Sequence, residues 1–185
     1  MKLGILSDTH GSLFYFKKAF NYLKDVDRII HLGDYLYHGP RNPLPEGYNP
    51  MKLAELLKNF KKRTFITGNC DSPIDLKLVN IPEPTPYVVE SYGPYNFFFT
   101  HGWDPNLEDS ISLAKKYKCQ YLIHGHTHIS KYKEQNGLII INPGSVSIPK
   151  ENTPHSILII DILENKINFK FIDIIKDEIY KHIYY

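Results

Sequence analysis

The chain has 185 residues, 42% hydrophobic and 23% charged, a balance that excludes disorder as the dominant state and suits one domain over residues 1–185. A formal charge of +2, with Lys and Arg spread along the chain, excludes a broad electrostatic footprint for duplex DNA or an anionic membrane. Two cysteines, Cys70 and Cys119, cannot build a disulfide framework, and no apolar run approaches the ~20 residues of a membrane span.

Leu3 to Leu6 reads as a buried first strand. It meets Ser7-Asp8 too soon to be the apolar core of a signal peptide, so a cytoplasmic location is expected. Ser12 is a suitable N-cap, and Leu13, Phe16, Phe20 and Leu23 fall at helical spacing, which predicts a helix over Leu13 to Lys24. Arg28 to Leu32 repeats the strand pattern and ends in Gly33-Asp34. The following stretch, Tyr35 to Pro50, carries four prolines and cannot be a regular element. Met51, Ala54, Leu57 and Phe60 mark a second helix, and Arg63 to Thr67 a third strand closing in Gly68-Asn69-Cys70-Asp71.

Beyond this alternation, Tyr87 to Glu90 and Asn96 to Thr100 read as strands, the second delivering His101-Gly102. Asn106 to Tyr117 reads as a helix. Gln120 to Ile123 reads as a buried strand ending in His124-Gly125-His126-Thr127-His128. From Ser130 onward the texture is all strand: Lys131 to Glu134, Leu138 to Ile141, Ser156 to Asp161 and Lys166 to Ile174. The turn Asn142-Pro143-Gly144-Ser145 is placed to reach a cleft at the strand ends. The tyrosine-rich tail Tyr180 to Tyr185 fits packing on the body, pairing with another subunit or fraying. The expected fold class is α/β, a four-layer α/β/β/α sandwich of two mixed sheets flanked by helices.

Five strand-end clusters share one grammar. Asp8, His10, Asp34, Asn69, His101, His126 and His128 each stand where a predicted strand runs out, and in an open α/β layer such ends face one crevice. Carboxylate, imidazole and amide oxygen together suit hard or borderline divalent ions. Seven donors are too many for one ion and about right for two if a carboxylate is shared, and Asp34 is the natural bridge. Two ions ~3.5 to 4 Å apart activate a shared water against a phosphoryl group, which predicts a phosphoester hydrolase. His124 is expected to support the ligands without binding metal, and His31 to be satisfied inside the sheet. Asp71 and Asp104 are ordinary turn residues that could assist the site, and packing is the expectation for Trp103.

The series Asp-x-His, Gly-Asp, Gly-Asn, lone His and Gly-His-x-His resembles the calcineurin-like metallophosphoesterases over Lys2 to about Lys150. The loop His38 to Tyr48, the turn Gly68 to Ser72 and the segment Asn142 to Lys150 look most like the small bacterial YfcE-type phosphodiesterases. The resemblance implies one metal held by Asp8, His10, Asp34 and His128 and another by Asp34, Asn69, His101 and His126. Asp34, Asn69 and His101 are also expected to serve catalysis, by attack of a metal-bridging hydroxide. Manganese is the first expectation, with zinc, iron or nickel as alternatives. Many relatives carry His directly after the Gly-Asn. Cys70 stands there instead, and a thiol is a poor general acid at neutral pH. The expected substrate is therefore a small phosphodiester or activated ester, with Arg41, Cys70 and His38 as candidate substrate contacts. Self-association is expected, and stable nucleic-acid or membrane binding is not. The competing readings are a nuclease, which would need a basic track, and a protein-binding scaffold of the same fold, such as the small retromer subunit.

Overall fold

Side-chain alternation decides how the layers stack. In the strand Tyr95–Thr100, Phe97 and Phe99 pack into one apolar cluster while Phe98 packs into another. Tyr121 and Ile123 against Leu122, and Ile139 and Ile141 against Leu138 and Ile140, divide in the same way. Leu3, Ile5, Ile30, Leu158 and Ile160 face those residues from a second sheet. The opposite face of that sheet, with Leu6, Ile29, Ile157 and Ile159, packs on helices through Phe16, Ala19, Leu23, Leu53 and Leu57. Three apolar interfaces between four layers make the α/β/β/α sandwich that the sequence predicts.

The computed structural model describes residues 1–185. Its elements are β1 (Lys2–Leu6), α1 (Leu13–Leu23), β2 (Arg28–His31), α2 (Pro50–Lys58), β3 (Arg63–Phe65), α3 (Pro73–Leu78), β4 (Tyr87–Tyr92) and β5 (Tyr95–Thr100). They continue as α4 (Leu107–Lys116), β6 (Tyr121–His124), β7 (Lys131–Gln135), β8 (Leu138–Asn142), β9 (Ser156–Ile162), β10 (Ile167–Asp173) and β11 (Glu178–Tyr184). The first sheet has the order β11-β10-β9-β1-β2-β3 and the second β4-β5-β6-β8-β7. The trios β1-β2-β3 and β5-β6-β8 are parallel within these mixed sheets, so their C-terminal ends lie along common edges.

The sequence and the structure part company in a few places. Helix α2 starts at Pro50 behind an Asn49 cap; Met51 points to solvent, Leu53 joins Ala54 and Leu57 inside, and Phe60 lies beyond the helix end. Helix α3 escaped the reading altogether, although Ser72 and Asp75 form a capping box and Pro73 stands at its first turn. Of the three outcomes open to the tail, the structure shows packing on the body: Glu178–Tyr184 is an edge strand paired antiparallel with β10.

Candidate metal centre

Five of the seven predicted ligands leave their strands through an unusual backbone. Asp8, His10, Asp34, His126 and His128 all have positive φ, between 42° and 67°. Such a conformation disfavours a non-glycine residue by about 1 kcal/mol or more, so the surrounding structure must impose it. It does so with loop-to-loop hydrogen bonds: the Asp8 N–H donates to the Gly33 carbonyl at 3.1 Å and the His10 N–H to that of Asp34 at 2.9 Å. Ser145 and Ser147 hydroxyls both donate to the Asp8 carbonyl at 2.9 Å, so the turn after Asn142 does reach the cleft, as a brace. Asn142 itself ties the histidine turn through the Gly125 carbonyl at 2.7 Å and the Thr127 hydroxyl at 3.0 Å.

The side chains then converge. One ligand atom from each of Asp8, His10, Asp34 and His128 lies within 4.8 Å of all the others, and the four residues are buried. Next to them, the Asn69 Oδ1 is 3.1 Å from the His101 Nε2 and 2.8 Å from the His126 Nδ1. The Asp34 Oδ2 is 3.5 Å from both the His10 Nε2 and the His101 Nε2, between the two groups. The other oxygen of Asp34 is occupied by the Cys70 N–H at 2.9 Å.

Orientation of the imidazoles argues for a cation. His10, His101 and His128 spend Nδ1–H on the carbonyls of Tyr37, Leu32 and Ile148, at 2.7, 2.7 and 2.8 Å. Their Nε2 atoms are thereby aimed into the cluster, the usual posture of a metal-bound histidine. The Nε2 atoms of His10 and His128 face each other at 3.2 Å, and both oxygens of Asp8 are buried without a hydrogen-bond partner. Burial alone would raise the Asp8 carboxyl, yet His128, His101 and His10 hold it below the usual carboxylate range. Burial also opposes charge on His101, but Asp34, Asp8 and Asp71 outweigh it and push that imidazole up to about 9. A set of buried acceptors that needs protons or cations between its members fits a divalent metal.

Above the donors opens a cleft of about 930 Å³, lined by Arg41, Asn42, Cys70, Trp103, Thr127 and Lys150 among others. Arg41 and Cys70 both line this cleft. His38 does not line this cleft; its ring packs edge-on against Tyr37 and Tyr48. Trp103 is 56% exposed beside His126, with ring centroids 5.3 Å apart, so the expectation that it packs inside is overturned. Burial, followed by the charge of Asp34, pushes the Cys70 thiol up to about 12, so it stays protonated and donates a proton poorly. His31, held by the Thr9 hydroxyl at 3.0 Å, is a satisfied histidine within the sheet, and His124 is buried behind the ligands.

One feature has no counterpart in the sequence reading, and a second is named there only as a turn residue that could assist the site. Lys150 lies on the cleft wall, but a single lysine after a proline carries no signal. Asp71 is more than a turn residue: its carboxylate accepts the N–H groups of Asp34, Tyr35 and Gly68 at 2.8, 2.7 and 2.7 Å. It fastens the bridging loop to the Asn69 loop.

The calcineurin-like phosphoesterase superfamily domain matches residues 1–165, and the chain belongs to that superfamily. With its buried Asp–His cluster it is a metallophosphoesterase, a hydrolase that uses divalent metal. Among relatives, it is 37% identical over 164 residues to phosphodiesterase YfcE of Escherichia coli K12, covering 87% of this chain and 88% of that one. A phosphodiesterase of Methanocaldococcus jannaschii is 27% identical over 158 residues, 78% and 83% of the two chains. The solved structure of the E. coli YfcE phosphoesterase superposes with a TM-score of 0.85 at 33% identity, covering 99% of this chain and 98% of the other. Vps29 of Entamoeba histolytica complexed with Zn shares the fold at a TM-score of 0.69 and 16% identity, covering 100% and 98%.

Proposed function

We propose that this chain is one catalytic unit over residues 1–185 that hydrolyses a small phosphodiester with two divalent ions, manganese first among them. Asp8, His10, Asp34 and His128 would hold one ion and Asp34, Asn69, His101 and His126 the other. When bound, such a pair lowers the pKa of a water, orients it and offsets charge gathering on phosphoryl oxygens. The observation that carries the reading is the Asp34 Oδ2, at 3.5 Å from a histidine of each group.

The chain's own residues do the rest. Arg41 offers a planar fork and Lys150 a point charge to the phosphoryl oxygens across the cleft. Trp103 gives an exposed aromatic face to one ester arm. Cys70 supplies a neutral wall and no proton donor, which favours diesters and aryl esters over alkyl monoesters. The name phosphodiesterase borne by the 37% identical E. coli relative supports that class. An intact donor set favours catalysis over the scaffold reading, and the spread of Lys and Arg leaves a nucleic-acid polymer without a track. Two free thiols suit the cytoplasm, and the exposed Ile179 and Tyr184 on the β11 edge support self-association.

The test is chelator-stripped protein reloaded with manganese, with metal per chain measured alongside turnover of bis-p-nitrophenyl phosphate and p-nitrophenyl phosphate. Two ions per chain and a preference for the diester are expected. Saturation at one ion, or preference for the monoester, overturns the proposal. Asp34→Asn should reduce turnover by at least ~100-fold and weaken both sites together, because Asp34 would serve both.

A further inference from the structure

Beside the metal cleft lies a second cavity of about 370 Å³ that no metal ligand lines. The two share Asn42, Pro43 and Lys150 among their lining residues, so they are neighbours on one face of the protein. Its far side is built from Tyr15, Glu46 and His155. Tyr15 and His155 stack with ring centroids 3.9 Å apart and planes 15° from parallel, and the Tyr15 hydroxyl donates to the Glu46 Oε2 at 3.2 Å.

This wall is held in place from behind. The Ser12 hydroxyl donates to the Glu46 carbonyl at 2.6 Å, and the Leu13 N–H to the Gly47 carbonyl at 3.1 Å, which fasten the proline-rich loop to the start of α1. The His155 Nδ1–H donates to the Val146 carbonyl at 2.9 Å, leaving Nε2 as an acceptor with no partner in the chain. Burial pulls the His155 imidazole below its usual range, so the ring is neutral near pH 7 and accepts. The wall therefore presents acceptors: an exposed carboxylate and an imidazole nitrogen. Acceptors select a partner rich in hydroxyl or amine donors, and reject one that leaves them empty.

We propose that this cavity is the subsite for one alcohol arm of the diester, and that Glu46 and His155 make it specific for a polyol or sugar arm that donates hydrogen bonds. The inference rests on the diesterase reading above and names its substrate class. Lys150, on the shared wall, stands between phosphate and arm.

The experiment compares two synthetic diesters with manganese-loaded protein: p-nitrophenyl 2,3-dihydroxypropyl phosphate and p-nitrophenyl methyl phosphate. Wild type should have the lower KM for the dihydroxypropyl ester. Glu46→Gln and His155→Phe should each raise that KM by about tenfold, with kcat and the methyl ester kinetics within about twofold of wild type. Equal changes for both esters, or none for either, overturn the subsite. The two variants lie on different segments, so misfolding of one leaves the other to decide, and thermal melts identify which has folded. Failure of the diesterase reading looks different: wild type then hydrolyses neither diester.

Discussion

Asp71 illustrates what a single side chain does by holding other residues in place. Its two oxygens take three backbone N–H groups from the Asp34 and Gly68 turns. Burial, helped by the nearby Asp34 charge, pushes its carboxyl up to about 7. Removing it leaves those donors unmatched, and an unmatched buried donor costs about 1 to 3 kcal/mol, less where water enters. Asp71→Ala should therefore lower stability by about 2 to 4 kcal/mol and weaken metal binding by ~10 to 100-fold, as supports of ligands do. Urea midpoints of chelator-treated protein and a manganese titration would measure both, and wild-type values for both would dismiss the clamp. The role was illegible in the sequence because Asp71 acts on Asp34 and Tyr35, some 36 positions away. The convergence of the candidate donors was legible for the opposite reason. Asp8, Asp34 and His101 each stand one residue past an apolar run, after Ser7, Gly33 and Thr100, so the end of the run marks where the side chain emerges.

The elements follow the same division between local and distant causes. Strands β1, β5, β6, β8 and β9 announce themselves by short apolar runs, and helices α1 and α4 by an Asx or Ser cap before spaced apolar residues. Helix α3 is six residues long and buries one of them, Leu76, so its apolar period never accumulates and only the Ser72–Asp75 box betrays it. The β11 edge depends on β10 for its register, which no residue of the tail encodes. Where alternation is strong, its energetic meaning can be measured. Phe97 is fully buried between the two sheets, where it stacks on Phe99 with centroids 5.6 Å apart and on Tyr121 at 4.9 Å. Phe97→Ala should cost about 3 to 5 kcal/mol from lost burial and the cavity left behind. Because the cavity lies far along β5 from His101, turnover per folded molecule at low temperature should stay within about twofold of wild type. A variant that melts early but works normally would separate the layer's packing from the site, and a proportional loss of turnover would show the two to be coupled.

At the scale of the whole molecule, the sandwich was legible from the change of texture after β3, but the return of β9 to pair antiparallel with β1 was not. That pairing brings the segment before β9, with Ser145, Ser147 and Lys150, to the cleft, and it explains why the site draws on the chain from Asp8 to Lys150. Gathering so many titratable groups makes stability depend on pH in two directions. Burial holds His31 near a pKa of about 3 and His124 near about 4, both neutral in the fold. Below an unfolded value of about 6.5 the unfolded chain binds protons that these rings refuse, so their stability is present above that pH and lost as it falls toward 4. His101 works the other way. Its pKa, raised to about 9 in the metal-free protein, contributes stability that is present below about 6.5 and lost as pH rises to 9. Asp71, its carboxyl raised to about 7, contributes stability that is lost as pH rises from about 4 to 7 and so offsets one histidine of the acid arm; metal-free protein should thus be most stable near pH 6.5, with each group contributing a slope of up to about 1.4 kcal/mol per pH unit. Under the proposed ligation a bound cation would take the place of the His101 proton, so saturating manganese should flatten the alkaline arm while the acid arm of His31 and His124 persists. Urea midpoints at pH 5, 6.5 and 8.5, with and without manganese, would measure both arms. An alkaline arm unchanged by metal would mean that His101 keeps its proton and is no ligand.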